Sequence, residues 1–455
     1  MSRTPPASSR RAALTDATER WSRPDNARCV LLVLTLANAL AFVDRQGLAP
    51  FVEPIKADLG VSDTAISLLY GMSFTLIYVT VGVPVGRFAD RANRRNVIAG
   101  SIVVWSLAIA ACGLTRSFAG LFAARLCIGA GEAGLNPAAY SMLADCFPRE
   151  RLAAAIGVYQ TGIYLGGAAA LLGGGFNAGM LPAGVPIMLP LGGKVKGWHI
   201  VVLALGAPEL ALSALLFALR EPVRRGAPRT DAVVPLSTFF AHVVQRREAY
   251  VGIGLAFALK ILVGNSTGAW IMTPFVRKFG WTTAEIGARY GLTVFVCGSG
   301  GALAGGVFAS WLERRGLSRG NLVAALIGFV ALLPLTIGFP LVPTAWPALA
   351  MIGAMNFFAG FNFGGGLATL QNMTPNRMRA LLAASYMVFA NVVGAALGPT
   401  VVALVTDYGF GDPQRLPDAI AITCAVASPL AVLCLLIGMR GLAHVQRLDT
   451  AGPVA

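Results

Sequence analysis

Ionisable side chains are scarce in this 455-residue sequence. Only 13% of the residues are Asp, Glu, Lys or Arg and 3 are histidines, whereas 56% are hydrophobic. Soluble domains average about 25% charged residues, so this composition excludes an ordinary soluble protein. The histidines, His199, His242 and His444, lie far apart and have no grouped serine or metal-ligand partner. We therefore expect no enzyme activity.

Other features are also missing. The 7 cysteines occur singly in or beside apolar runs, with no CxxC pair, which argues against a disulfide or zinc site. No Walker motif is present, so ion gradients are the available energy source. The net charge of +15 comes from arginines in short loops between apolar segments and not from one polar face. The sequence thus predicts no metal, no cofactor and no nucleic-acid partner.

Long apolar runs dominate what is present. Runs of about 20 residues, bounded by charges or Pro/Gly turns, occur twelve times. They begin near Val30, Ile66, Val97, Phe118, Leu152, Ile200, Val251, Ile286, Leu322, Trp346, Leu381 and Asp418. The pattern predicts an all-α membrane protein with twelve transmembrane helices in two pseudo-symmetric six-helix bundles. The predicted parts are a tail (1–28), a first bundle (29–220), a linker (221–248), a second bundle (249–440) and a tail (441–455).

The positions of the basic residues predict the orientation. Lys and Arg concentrate in the two tails and in the loops that join even-numbered to odd-numbered runs. Basic loops resist translocation, so we expect both termini in the cytoplasm of a multi-pass protein of the cell (inner) membrane. Residues 176–199 are then an extracytoplasmic loop with room for one hairpin.

Two internal matches indicate a duplication. GRFADRANRR at Gly86–Arg95 matches GVFASWLERR at Gly306–Arg315, with Ser310 where the first copy has Asp90. DCFPRERLAAAIGVY, from Asp145, matches NMTPNRMRALLAASY, which ends at Tyr386. Repeats between membrane-length segments are typical of transporters built from a duplicated multi-span unit.

The first repeat closely resembles the G-x-x-x-D-R-x-x-R-R signature of the major facilitator superfamily, where it acts as a cytoplasmic latch between the bundles. The resemblance implies a cytoplasmic gate formed by Gly86, Asp90, Arg91, Arg94 and Arg95. We expect Asp145 to lie within reach of Arg94 or Arg95. The alternative is that these arginines only follow the positive-inside rule.

Two further strings look like the Spinster branch of that superfamily. They are FVDRQGLAPFVEPIKADLGVSD and ARLCIGAGEAGLNPAAYSMLADCFPRERLAAAIGVYQTGIYLG, and the likeness is strongest over residues 1–170. The resemblance implies transport of lysophospholipids, sphingoid phosphates or similar amphiphiles, with proton coupling.

Charges within apolar runs mark the candidate coupling site. A charged side chain in hydrocarbon costs a few kcal/mol and usually faces a functional cavity. Asp44, Arg45, Arg125 and Glu132 are such residues. Asp44 and Arg125 share a depth, and Glu132 lies two helical turns from Arg125. We expect Arg125 to switch its attraction between the two carboxylates as they gain and lose protons; the alternative is a static ion-pair cluster that fixes helix packing.

Lys260, midway along the seventh run, is a candidate for binding an anionic headgroup, and Arg45 could serve from the other bundle. The alternative for Lys260 is snorkelling to an interface. The predicted substrate-binding residues are Arg45, Lys260, Arg125, Glu132, Tyr164, Asn265, Trp270, Asn356 and Tyr386. Each polar or aromatic member, taken alone, is more typical of helix packing.

Together these features predict a monomeric, proton-coupled secondary active transporter of lipid-like or amphiphilic anionic substrates. Its partners would be that substrate, protons and the surrounding lipids. Two alternatives remain. A drug or sugar transporter of the same fold would differ in cavity polarity, and a lipid flippase or scramblase would work without a gradient.

Overall fold

The computed structural model describes residues 24–147, 149–180, 187–188, 194–222, 235–315, 317, 319–361, 366, 369–370, 373–375 and 378–450. Most of the predicted N-terminal tail, residues 1–23, lies outside the described residues.

Twelve apolar helical segments follow one another and are numbered here as spans 1 to 12. In order they are Asn26–Leu59, Asp63–Gly82, Arg94–Leu114, Phe118–Cys146, Ala155–Gly174, Gly197–Phe217, Arg247–Arg277, Thr283–Ala309, Gly320–Gly338, Ala345–Phe361, Ser385–Phe410 and Pro413–Gln446. Eleven are long and apolar enough to cross a membrane, and span 10, with 17 described residues, is shorter. The predicted all-α membrane fold is confirmed.

The two halves repeat the same packing. Span 1 packs on span 5, span 2 on span 4, and span 3 on span 6; in the second half span 7 packs on span 11, span 8 on span 10, and span 9 on span 12. Across the halves, span 5 packs on span 8 and span 2 on span 11. Leu32, Leu303 and Val426 are 65%, 73% and 66% exposed, as expected for helices whose outer surface faces lipid.

Several helices extend beyond the predicted spans. One continuous helix covers Arg149–Met180 and the last runs from Leu416 to Thr450, through most of the predicted C-terminal tail. The predicted linker contains the helix Leu236–Gln245. These polar extensions are possible because Arg, Glu, Gln and Lys have nearly the same helix propensity as Leu.

Some spans are broken near their middle. Span 1 consists of the helices Pro24–Gln46 and Val52–Leu59, joined through a 3-10 turn at Ala49–Phe51. Span 4 consists of Phe118–Glu132 and Leu135–Cys146. Irregular backbone at membrane depth is tolerated where it is buried in protein or lines a cavity. The breaks directly follow the predicted coupling residues of both spans.

Within the described ranges four segments are π-helical. They are Leu68–Met72 in span 2, Val294–Gly298 in span 8, and Asn391–Ala396 and Val405–Phe410 in span 11. π-helical turns are rare and frequently lie at functional sites. All four lie in spans that contact the other half.

Two short strands lie between spans 5 and 6. Strand β1 (Ile187–Met188) pairs antiparallel with strand β2 (Lys194–Val195), with Ile187 opposite Val195. The segment predicted as an extracytoplasmic loop therefore carries a hairpin.

Close helix contacts depend on glycine. A Cβ on Gly166 of span 5 would lie 2.0 Å from the backbone oxygen of Ala39 in span 1, whereas one on Gly167 would meet nothing within 4 Å. Gly166 therefore permits an approach that no other residue allows.

Candidate functional site

Two neighbouring cavities lie at the centre of the molecule. The central cavity, of about 260 Å³, lies between the halves and includes Arg45, Phe74, Arg125 and Asn391 in its wall. The second cavity, of about 240 Å³, lies within the second half beside Lys260. Both cavities share the span 7 residues Ile261, Gly264, Asn265 and Gly268.

An ion pair forms part of the central cavity. The Nη2 atom of Arg45 lies 2.7 Å from Oε2 of Glu132, and its Nε donates to the same oxygen at 2.8 Å. The Glu132 side chain is fully buried, while that of Arg45 is 25% exposed. Arg45 is thus the cavity-facing member of the pair, and Glu132 lies behind it.

Aromatic rings surround the Arg45 guanidinium. Its Cζ lies 4.9 Å from the ring centroid of Phe42, 4.5 Å from that of Phe74 and 5.2 Å from that of Tyr78. Ring faces attract a cation but cannot neutralise it. The guanidinium is therefore held in place for a carboxylate or for another anion.

Arg125 contacts the backbone of Asp44. Its Nη1 donates to the backbone oxygen of Asp44 at 3.2 Å, and its Nε meets no acceptor among the described residues. The direct partner of Glu132 in this structure is Arg45. The exchange of Arg125 between Asp44 and Glu132 stays a prediction.

Lys260 lies in the wall of the second cavity, where its Nζ donates to the backbone oxygen of Ala359 at 3.3 Å. Asn265 and Asn356 line the same cavity and each donates its amide to its own helix, to Ile261 and Ile352. The structure thus brings three cations and two of the predicted amides to adjoining cavities.

Other predicted substrate-binding residues lie elsewhere. Trp270 is fully buried and its Nε1 donates to the backbone oxygen of Pro399 at 3.2 Å, so it joins span 7 to span 11. Tyr386 packs on an apolar cluster of the second half. Tyr164 lies against Gly298 of span 8, where a Cβ would be 3.0 Å from its ring. None of the three lines either cavity.

The arginine-rich face, the side of Arg94 and Arg95, contains a buried cluster. Arg94 pairs with Asp145 and with Glu221, and its Nη1 donates to Ser141 at 2.9 Å. Arg95 instead donates to the backbone oxygen of Leu219 at 3.0 Å. Ser141 and Asp145 belong to span 4, and Glu221 lies just after span 6, so the described contacts of Arg94 do not join the two halves. The side chains of Gly86, Asp90 and Arg91 lie outside the described part.

Charged contacts between the halves occur at the opposite face, the side of Glu53, Asp63 and Arg277. The guanidinium of Arg277 lies 2.7 Å from Oε1 of Glu53 and 3.1 Å from Oδ1 of Asp63. Lys56 also pairs with Asp63. These residues come from spans 1, 2 and 7 and were not predicted from the sequence.

A second contact joins the two halves on the same face. The backbone N–H and the hydroxyl of Thr64 donate to Oδ2 of Asp407 at 2.8 and 2.6 Å. Thr64 belongs to span 2 and Asp407 to span 11, so the two halves are tied at two places on this face.

A protein with twelve apolar helices in two repeated halves and charged cavities at their interface is a multi-pass membrane transporter by architecture. The family model of the Major Facilitator Superfamily matches residues 34–399. The chain belongs to this superfamily.

Individual relatives refine the comparison. An MFS-type efflux pump of Mycolicibacterium smegmatis (strain ATCC 700084 / mc(2)155) is 28% identical over 423 residues, which cover 92% of this chain and 94% of the pump. A probable L-galactonate transporter of Escherichia coli (strain K12) is 24% identical over 401 residues, or 83% of this chain and 82% of that protein.

Among solved structures, the chain is similar to a bacterial homologue of the human lysosomal transporter Spinster in an inward-facing and unoccupied conformation. The TM-score is 0.73 and the identity 25%, with 92% of this chain and 96% of the other covered. The resemblance to the Spinster branch is thereby confirmed. These relatives are named for different activities, an efflux pump, an L-galactonate transporter and a lysosomal transporter homologue.

Proposed function

We propose that this protein is a proton-coupled secondary active transporter of amphiphilic anionic substrates, of the lysophospholipid or sphingoid-phosphate type, that works by alternating access. The observation that carries the proposal is the buried Arg45–Glu132 ion pair at the wall of the central cavity. The protein would act as a monomer, with lipids as its surroundings.

The charge of the cavities supports an anionic substrate. Arg45 and Arg125 line the central cavity and Lys260 the second, while no Asp or Glu among the described residues lines either one. A cavity with several cations and no exposed carboxylate attracts anions and excludes cations.

The rest of the cavity walls is apolar, which supports an amphiphilic substrate. Phe42, Phe74, Leu332 and Met355 contribute apolar surface beside the cations. A ligand with a charged head and an apolar body satisfies both parts of such a surface. The two adjoining cavities hold cations at two separated places. This arrangement suits a ligand with an anionic headgroup and a second anionic or polar group.

Competition at Arg45 provides the coupling. The guanidinium carries one positive charge, which Glu132 already balances through contacts to Nε and Nη2, so the ionised Glu132 carboxylate and a substrate anion compete for the same charge. A proton on Glu132 removes the internal partner and leaves Arg45 to the substrate. Proton binding and substrate binding then favour each other, and by linkage the effect is reciprocal.

The orientation follows from the positive-inside rule. With the arginine-rich face in the cytoplasm of a cell with an inner membrane, the contacts of Arg277 close the extracytoplasmic side. Rocking of one half against the other would break them and expose the cavities to the outside.

The test is transport by purified protein in proteoliposomes with and without a pH gradient. The wild type is expected to accumulate a lysophospholipid only with the gradient, and Glu132→Gln and Asp44→Asn to lose this accumulation. Glu285→Gln, the same change at a half-exposed helix cap outside the cavities, is the control. Full proton coupling in both Glu132→Gln and Asp44→Asn would refute the proposed mechanism.

A transporter of sugar acids or drugs is the second candidate, favoured by the names of the galactonate transporter and the efflux pump. The same vesicles distinguish it when lysophospholipids, sphingoid phosphates, aldonic acids and cationic dyes are compared. Non-saturating flux that ignores the gradient would instead indicate a scramblase.

A further inference from the structure

Glu209 is a buried acid of span 6 that the proposed mechanism does not use. It is 1% exposed and lies in a helix, Gly197–Ala218, whose other residues around it are apolar. An ionisable residue at such a place is expensive to bury and needs a compensating partner. The nearest candidate is the carboxyl group of Asp44, which is 4% exposed.

The two carboxyl groups lie close enough to interact directly. None of their four oxygens meets a hydrogen-bond donor from the described part of the chain, and the indole N–H of the neighbouring Trp105 falls short of hydrogen-bond geometry. Two ionised carboxylates have no hydrogen to share and repel each other. The contact is therefore favourable only when one proton lies between the two groups.

The surrounding charges agree with one negative charge on the pair. Arg125 faces it from span 4 and donates to the backbone oxygen of Asp44. Glu132, on the same span, is already paired with Arg45. One guanidinium balances one carboxylate, so the pair with a single proton is neutralised, whereas the doubly ionised pair is not.

A small cavity lies beside Asp44, one member of this pair. It has a volume of about 20 Å³ and is lined by Asp44, Gly47, Cys112, Arg125 and Val202, among others. That volume is enough for about one water molecule, and the polar atoms of Asp44 and Arg125 could hold it. Arg125 also lines the central cavity and therefore stands between the two spaces.

We propose that Asp44 and Glu209 form a proton-sharing carboxyl pair, and that Glu209 is a further coupling residue of the transporter. A hydronium ion in the small cavity gives one proton to the doubly ionised pair and becomes water; on release a water molecule accepts the proton and leaves as hydronium, and no other bond changes. The inference rests on the proposed proton coupling, but the shared proton itself can be measured without transport.

Two measurements test it on the full-length protein in lipid. The first is the infrared difference spectrum between acidic and alkaline buffer, in which a buried protonated carboxyl group gives its own C=O stretching band. Glu132, which the proposed function also protonates, gives a band of its own, identified by its loss in Glu132→Gln. We expect a second band in the wild type that is lost in both Glu209→Gln and Asp44→Asn. Ser213→Ala, a buried change one turn away on the same helix, is the control and should keep the band.

The second measurement compares uptake driven by a pH gradient with exchange of labelled for unlabelled substrate at equal pH. Glu209→Gln should lose at least 10-fold in driven accumulation and keep exchange within 2-fold, because only net transport requires release of the proton. A merely structural role would lower both alike. The exchange arm also reports whether the variant is folded.

The outcomes separate the two proposals. A second band that persists unchanged in Glu209→Gln, or driven uptake that survives in it, overturns the carboxyl pair. If the wild type shows no gradient-driven uptake of any substrate, the proposed function fails. In that case the second band alone decides whether Asp44 and Glu209 share a proton, and its loss in both variants still supports the pair.

Discussion

Replacement of Arg277 should open the face that carries Glu53 and Asp63. Arg277→Gln keeps a polar side chain, although a shorter one, and removes the charge of Arg277 and its ion pairs to spans 1 and 2. Since these contacts join the two halves, their loss should shift the conformational equilibrium and not only the stability of the fold.

The size of the shift follows from burial. The Asp63 side chain is fully buried and that of Arg277 is 10% exposed, so this charged contact is worth about 1.5–3 kcal/mol. Glu53 is 40% exposed and adds about 0.5 kcal/mol or less. Lys56 remains as a partner of Asp63, which prevents an orphaned charge. We expect a net change of about 2 kcal/mol, or about 30-fold in the equilibrium constant.

Distances between spin labels at Ala57→Cys and Gln414→Cys, on a background without other cysteines, can measure this. Both positions are exposed and lie in different halves near this face. Arg277→Gln should increase the population with a long distance about 30-fold at most, and Asp58→Asn, which breaks a pair with Lys196 inside one half, should not. An unchanged distance distribution in Arg277→Gln would refute the assignment of these ion pairs as the closing contacts.

Two further predictions concern packing and charge. Gly166→Ala should destabilise the protein by about 1–3 kcal/mol in thermal unfolding, because its Cβ would overlap the backbone of Ala39, whereas Gly167→Ala should be neutral; equal melting temperatures for the two variants would contradict the packing. Lys260→Met should weaken anionic substrates about 10- to 100-fold in binding titrations and leave neutral analogues unchanged. Lys278→Met serves as the control, because the ammonium group of Lys278 donates to loop carbonyl oxygens. Equal losses of affinity for anionic substrates and neutral analogues would count against a role of Lys260 in binding an anionic headgroup.

The sequence was sufficient for the fold because each span is a long apolar run whose length is fixed by the membrane. The same rule identified Asp44, Arg45, Glu132 and Lys260, since charges within such runs are costly and rare. Their roles as a coupling and binding group remain predictions. Glu209 obeys the same rule and could have been found from its place in the run GAPELAL.

The pairing of these charges was not predictable from the sequence. Asp44 and Arg45 are adjacent, so about 100° of helix rotation decides which of them meets Glu132. That rotation is set by packing of span 1 on span 5 and by the break after Gln46, neither of which local sequence defines. The contact of Arg277 with Asp63 spans 214 positions and needs both halves in place. The sequence could also not separate Trp270, which packs between helices, from aromatic residues of the cavity wall.

The π-helical segments have a consequence for chain length. Each such turn holds one residue more than an α-helical turn, so deletion of a single residue from Asn391–Ala396 can restore ordinary winding and leave the later side chains in phase. In span 9, which is α-helical throughout, the same deletion would rotate every later side chain by about 100° and turn buried surfaces toward lipid. Loss of a single codon should therefore be tolerated within the π-helical segments of spans 2, 8 and 11 and eliminated in span 9.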